Sequence, residues 1–413
     1  MGGSAFGSVF QPTAFPRIPP LIYHALKVLF LSGLQEFYEW VGVPTEAPEK
    51  LDHGDLDFLA AIPKAPFADS SVPHERVRDA IGATYMNPME GNRTSNYAVP
   101  IKPGAWTEFG FAGLEHQCRK DAENGEIYYQ VDVHVCYDKE EWDRTMFFHS
   151  YGDMGMILGL ISRNAGLALG VKGLKIPDPP NPPFDLSESF DEITEFLELS
   201  MQRYDEGFQT KRDVFEWAAS MRFFDPSQFR SQGPGISKVK PERKMYAEFV
   251  EWVESMRQNP SQDQIDRLSR QDRRAPTRDV ALAFFGKKDE FEALAKARSD
   301  RLRLKESFSG SVVHDWAEMG GYWKGVKLIM DEVRARLGGE EGILKLLEKN
   351  GEDDLKKVVL QVRSDLGIIL STKAPQAEEQ LTVLMTSSST SETLVEEIAV
   401  DVKEPPMSST KTG

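Results

Sequence analysis

Between Leu21 and Trp40, apolar residues recur at Ile22, Ala25, Leu26, Leu29, Phe30 and Phe37, a spacing of three and four that predicts a helix over that stretch. The period then shortens. Asp55 to Ile62, bounded by Gly54 and Pro63, reads as a buried strand, and Tyr97 to Ile101 reads as another. Pro73 to Ile81 opens with proline in a first-turn position and continues as a short helix. Leu114 to Lys120 and Glu126 to Cys136 flank Asn124-Gly125, a pair that tolerates positive φ, and this predicts an antiparallel hairpin. Asp138 followed three residues later by Glu141 is a capping box that opens a helix. A break at Ser150 to Asp153 precedes a second helix from Met154 to Asn164, and Leu167 to Leu169 with Leu174 to Ile176 forms a small ribbon.

The Pro-rich run from Pro177 to Pro183 cannot sustain a helix or an interior strand, so a domain boundary is expected there. Beyond Phe184 the pattern is helical, with stripes at Val214, Trp217, Met221 and Phe224, at Phe249, Trp252, Val253 and Met256, and at Val326, Ile329, Met330 and Val333. The expected organisation is a flexible arm over 1–20, an α+β catalytic domain over 21–176, a linker over 177–183, an all-helical domain over 184–373 and a disordered Ser/Thr-rich tail over 374–413.

Composition narrows the functional classes. The chain has 413 residues, 40% hydrophobic and 28% charged, and describes an ordinary globular protein. Its longest apolar stretch, Leu21 to Leu34, is interrupted by His24 and Lys27, so no membrane partner is expected. Cys118 and Cys136 are too few for a disulfide framework or a cysteine zinc site, which together with the absence of a signal-peptide pattern implies an intracellular protein of the cytoplasm or nucleus. A net charge of -16 repels polyanions at long range. Against that background, basic residues outnumber acids between Arg267 and Lys305, which reads either as solvated helix faces or as a cradle for nucleotide or nucleic acid.

The candidate chemistry lies in three aspartates. Residues two apart on a strand share a face, so Asp55 and Asp57 project together while Leu56 and Phe58 enter the opposite core. Two such carboxylates need a cation or a proton between them, and their hard oxygens suit Mg²⁺. Asp132 lies between Val131 and Val133 in a second strand-like run, where an unpaired carboxylate is costly. His53 and His134 share the faces of Asp55 and Asp132, and each reads as a strand-end or core histidine before a substrate contact.

The run His53-Gly54-Asp55-Leu56-Asp57-Phe58-Leu59, with Val131-Asp132-Val133 downstream, resembles the DNA polymerase β-like nucleotidyltransferase superfamily. The likeness covers residues 21–176, and Phe148 through Arg163, Gly166-Leu167 and Gly173-Leu174 look like the helix, turn and ribbon that follow the third Asp in family X polymerases. It implies a mixed sheet with flanking helices, followed by the all-helical domain. It also implies that Asp55 and Asp57 hold two Mg²⁺ (or Mn²⁺) ions, that Asp132 joins the second ion, and that an NTP is the substrate. Where the family has Gly-Ser, this chain has Gly42-Val43-Pro44-Thr45, so Gly42 and Thr45 are the nucleotide-binding candidates. The backbone from Ser150 through Gly152, beside a new helix, is the other candidate phosphate or acceptor contact. The implied activity is transfer of a nucleoside monophosphate to a hydroxyl acceptor, which could be a small molecule, a protein or a polynucleotide. The alternatives are a non-catalytic nucleotide- or partner-binding protein on the same fold, or an unrelated α+β protein with structural aspartates.

Overall fold

A computed structural model describes residues 4–88, 94–230, 243–257 and 270–368. The expected tail over 374–413 and the start of the basic stretch, Arg267, lie outside the described residues. The protein is α+β and divides into two compact units, Met1–Glu292 and Ala293–Gly413.

The first unit begins with α1 (Pro20–Leu34), β1 (Tyr38–Gly42), β2 (Asp55–Pro63), α2 (His74–Ala80), β3 (Tyr85–Pro88) and β4 (Thr94–Pro100). It continues with α3 (Ala112–Asp121), β5 (Tyr128–Cys136), α4 (Lys139–His149) and α5 (Met154–Asn164). The strands form a mixed sheet in the order β1-β2-β5-β4-β3, in which only β2 and β5 run parallel. One face packs on α1 and α2 through Phe30, Leu34, Leu56, Phe58, Val77, Val131 and Val133, all buried. Trp142 of α4 reaches back to the sheet and donates its indole N–H to the Leu59 carbonyl at 3.0 Å.

A smaller antiparallel sheet follows, β6 (Ala168–Gly170), β7 (Gly173–Ile176) and β8 (Phe184–Ser187), then α6 (Phe190–Phe196), α7 (Met201–Asp205), α8 (Lys211–Ala219), α9 (Lys244–Arg257) and α10 (Arg270–Phe284). The proline run is therefore no boundary. It forms the connection between β7 and β8, whose pairing of Ile176 with Phe184 spans it. Prolines that would break a strand serve well in a loop outside the ladder. One hydrophobic cluster extends from Met154 and Ile157 through Phe184 to Trp217 and Phe249, so the helices up to residue 292 belong with the sheet domain.

The second unit opens within α11 (Lys288–Ser307), which leads to α12 (Gly310–Trp316), α13 (Trp323–Leu337), α14 (Glu340–Asn350) and α15 (Glu352–Asp365). Their shared core contains Val313, Ile329, Val333, Ile343, Leu355 and Val359. The helical C-terminal region is thus shorter than the pattern predicts. Among the described residues, no helix is long and apolar enough to cross a membrane.

Three further expectations are corrected. The opening segment is packed where a loose arm is expected: Phe6 and Phe15 stack and are buried with Ala98 and Tyr128, and Ile18 exchanges backbone hydrogen bonds with His53. The helix over Leu21 to Trp40 stops at Leu34, because Tyr38 to Gly42, rich in aromatic and β-branched side chains, pairs with β2. The stretch from Leu114 is helix, not the first arm of a hairpin. Asn124 and Gly125 do adopt positive φ, but they turn α3 into β5.

The buried Glu115 explains why α3 is fixed in place. Its carboxylate accepts the Gly104 and Trp106 amides at 2.9 and 2.8 Å and the Arg119 guanidinium at 2.9 Å, while Arg119 also donates to the Ile101 and Gly125 carbonyls. Burial opposes its charge, and these donors outweigh burial, holding the carboxyl below its ordinary range. Glu115→Ala orphans two amides and part of a guanidinium, so urea denaturation is expected to show a loss of about 2–4 kcal/mol. A loss under 1 kcal/mol would show that solvent replaces the carboxylate.

Candidate active site

The alternation along β2 and β5 decides where the aspartates go. Leu56 and Phe58 are buried on one face, as are Val131 and Val133, so Asp55, Asp57 and Asp132 must leave from the other. The parallel register sets Asp57 beside Asp132 and Asp55 beside Gln130, on strands about 4.8 Å apart. On the far side of β5, Asn96 of β4 stands opposite Asp132. Three carboxylates and two carboxamides thus occupy adjacent positions on one sheet face.

Asp132 is tied down by those carboxamides. Its Oδ1 accepts from Asn96 Nδ2 at 2.7 Å and Gln130 Nε2 at 3.0 Å, and its Oδ2 accepts from Gln130 Nε2 at 2.9 Å. Burial raises its pKa to about 6; the Asn96 and Gln130 hydrogen bonds oppose the rise, and the Asp55 charge adds to it. Asp57 is reached by solvent along a cleft yet enclosed by protein on its other sides, and this enclosure, then the charges of Asp55 and Asp132, pushes its carboxyl well above the ordinary range. The cluster repels itself. Asp55 and Asp57 present hard oxygens to the cleft, a donor set of the kind divalent cations take. Among the described residues no group of three or more His, Cys, Asp or Glu side chains is arranged to hold a metal ion, and the third carboxylate is engaged by amides.

The cleft encloses about 650 Å³. With Asp55 and Asp57 its lining holds Tyr23, Thr45, Glu46, Lys50, His149, Gly152, Gly159 and Arg163. Tyr23 stacks on His53 with ring centres 3.6 Å apart. Burial, then the Glu46 charge, raises the Tyr23 hydroxyl out of reach of ionisation. Glu46 accepts from Lys27 at 2.9 Å, and that bond outweighs burial to keep its carboxyl ionised below the usual range. His53 is buried, and burial followed by Lys50 lowers its pKa to about 4, so it is neutral. It supports Tyr23 from beneath and does not face the cleft opening. His134 bonds Thr94 at 2.8 Å through Nδ1.

Lys50 and Arg163 are exposed cations at the cleft and make no ion pair among the described residues, whereas Arg243 is held by Asp153 at 2.8 Å. Asp153 also accepts the Tyr246 amide at 3.1 Å, which fixes the start of α9 against the start of α5. Gly152 between these elements has φ 68°, and a Cβ there would approach Ala47 Cβ to 2.9 Å. Met156 and Leu160, on the same stripe of α5 as Arg163, and Leu169 add apolar surface to the lining.

Of the residues marked by sequence, Asp55, Asp57, Thr45 and Gly152 line this cleft. Ser150 does not. It is buried, donates its hydroxyl to the Met146 carbonyl at 2.7 Å, and accepts the Thr45 amide at 3.0 Å, so it shapes the Thr45 loop from behind. Gly42 belongs to β1, packed so closely under Met146 and Trp142 that a Cβ would meet them at 2.8 and 2.9 Å. Tyr23, Lys27, Glu46 and Lys50 went unmarked; the four-residue spacing of Tyr23 and Lys27 on α1 was the available signal. Compared with known proteins, the chain matches no family model, and no curated protein is significantly similar to it.

The raised carboxyls set a pH dependence. A folded-state pKa above the unfolded value means that the folded protein holds protons which the unfolded chain releases from about pH 4 upward, so stability falls as pH rises from about 4 to about 6 and beyond. Asp57→Asn removes one charge of the cluster. In divalent-free buffer its melting temperature is expected to fall less between pH 4.5 and 7.5 than the native protein's, with a gain at pH 7.5 on the order of 1 kcal/mol after solvent screening. Superimposable profiles would show that the carboxylates do not repel one another.

Proposed function

We propose that the protein is a metal-dependent nucleotidyltransferase that moves a nucleoside monophosphate from an NTP to a hydroxyl acceptor and releases pyrophosphate. The observation that carries this reading is the parallel pairing of β2 and β5, which brings Asp55, Asp57 and Asp132 to one face beside a cleft bearing the unpaired Lys50 and Arg163. Acids for cations and bases for phosphates stand within one enclosure of nucleotide size.

In this reading Asp55 and Asp57 would hold Mg²⁺ or Mn²⁺, with Asp132 beside them as the further carboxylate. Bound cations supply charge neutralisation at the attacking and leaving oxygens. The protein contributes positioning. Lys50 and Arg163 bind the triphosphate, the apolar surface of Met156, Leu160 and Leu169 takes the base, and the Thr45 loop, pinned by Ser150, borders the phosphates. The acceptor hydroxyl gives up its proton to solvent, its oxygen bonds to the α-phosphorus as the bond to the bridging oxygen breaks, and the pyrophosphate carries that electron pair away.

A second reading is favoured by a specific observation: Gly42 lies in a packed strand instead of a phosphate loop, and the Asp132 oxygens are engaged by amides. On that reading the cleft binds nucleotide without turnover.

Pyrophosphate release, screened over the four NTPs with hydroxyl acceptors of each class, decides between them. It is expected to require Mg²⁺ or Mn²⁺ and to fall at least a hundredfold in Asp57→Asn, while Lys50→Ala with Arg163→Ala raises the KM for NTP about tenfold. Divalent cations are expected to raise the native melting temperature and leave that of Asp57→Asn unchanged. An NTP that stabilises the native protein without pyrophosphate release over any acceptor would establish the second reading.

A further inference from the structure

The second compact unit contains a cavity of its own, about 480 Å³, between the later turns of α11 and the facing parts of α13 and α14. Its floor is apolar, formed by Leu304, Phe308, Met330 and Leu344. Its rim carries Arg301, Lys305 and Arg334. Arg301 and Lys305 lie one turn apart on the same side of α11, both exposed, and neither makes an ion pair among the described residues. Elsewhere in this unit Lys296, Arg336, Lys345 and Lys357 meet an acid one turn away on their own helix. The Arg334 guanidinium carbon lies 5.5 Å from the centre of the Phe308 ring, so this cation also covers the apolar floor.

The acids on the rim are Asp300 and Glu340. Asp300 is already engaged by Lys296 at 2.7 Å, and Arg334 meets Asp331 of its own helix at only 3.4 Å. Glu340 makes no ion pair among the described residues, so Arg301 and Lys305 stand against one unengaged acid at a cavity far larger than an inorganic ion and lined in part by carbon. A water-filled cavity would leave that floor wet.

We propose that this cavity binds an amphipathic organic anion, with a carboxylate or phosphate head between Arg301 and Lys305 and an apolar body laid along Leu304, Phe308 and Met330. The site is separate from the carboxylate cleft and does not depend on its assignment. Neither charge nor grease alone satisfies it: the head addresses the rim, and the body displaces water from the floor.

The test uses the full chain and displacement of the fluorescent anion 8-anilinonaphthalene-1-sulfonate. Octanoate and octyl phosphate are expected to displace it, whereas 1-octanol and inorganic phosphate at the same concentrations are not; the tighter of the two anions identifies the preferred head group. The double variant Arg301→Glu with Lys305→Glu is expected to keep the native melting temperature and to bind octanoate at least tenfold more weakly. Leu344→Trp, which fills the cavity, is expected to abolish the displaceable signal, and Asp57→Asn is expected to bind as the native protein does. Displacement by 1-octanol as effective as by octanoate, full displacement by inorganic phosphate, or unchanged affinity in the charge-reversed variant would each overturn the proposal.

Discussion

The structure depends on an antagonism between the two faces of β2 and β5. On one face, burying Leu56, Phe58, Val131 and Val133 contributes roughly 1.5–3 kcal/mol per side chain. On the other, the same residues force Asp55, Asp57 and Asp132 together, at a cost on the order of 1 kcal/mol for Asp57 after solvent screening. Burial wins by a margin that leaves the carboxylates no means of separating, because a strand cannot present one face without presenting the other. The repulsion is then stored in a rigid frame. Rigidity is what a charged ligand needs from its site, since a flexible carboxylate cluster would relax into solvent before any cation arrived.

The cleft in front of that cluster is made by two hydrophobic clusters that both belong to the first unit. One lies beneath the sheet with α1, and the other runs from α5 through β8 to α9. Elements that line the cleft come from both: Ser150 and the Tyr151 amide tie the second cluster to the Thr45 loop, and within the second cluster Asp153 ties the start of α5 to Arg243 and the Tyr246 amide. Packing fixes much of the walls, whereas the Thr45 loop is held by Ser150, the Tyr151 amide and the Lys27–Glu46 pair, and the start of α9 by Asp153. Those points are where the geometry of this side of the cleft is set.

Much of this was legible in the sequence. The two aspartate strands, the helix capped by Asp138, the helix from Met154 and the ribbon after it follow from period, caps and breakers, and the Asp138 side chain does accept the Glu141 amide. Alternation places Asp132 on a face but says nothing of which strand lies beside it, so the pairing with Asp57 is a tertiary fact. The partners Asn96 and Gln130 were illegible for the same reason. Pro177 to Pro183 was misread because proline ends strands both at domain boundaries and in loops, and only the Ile176 to Phe184 pairing distinguishes the two. The first twenty residues were misread because their Gly and Pro content masks a spaced aromatic set, Phe6, Phe10 and Phe15, that has a place to bury itself only once Tyr85 and Tyr128 are adjacent.

The parity of β2 and β5 also limits how this chain could have changed over time. Gaining or losing one residue within Asp55–Pro63 or Tyr128–Cys136 would exchange the faces downstream, turning valines and phenylalanine toward water and carboxylates into the core. Such a lineage would lose the fold and the cleft in one event. Side chains at these positions are free to be replaced one at a time, but the lengths of the two strands are not, so drift in this region must run through substitution while insertions collect in the connections around it.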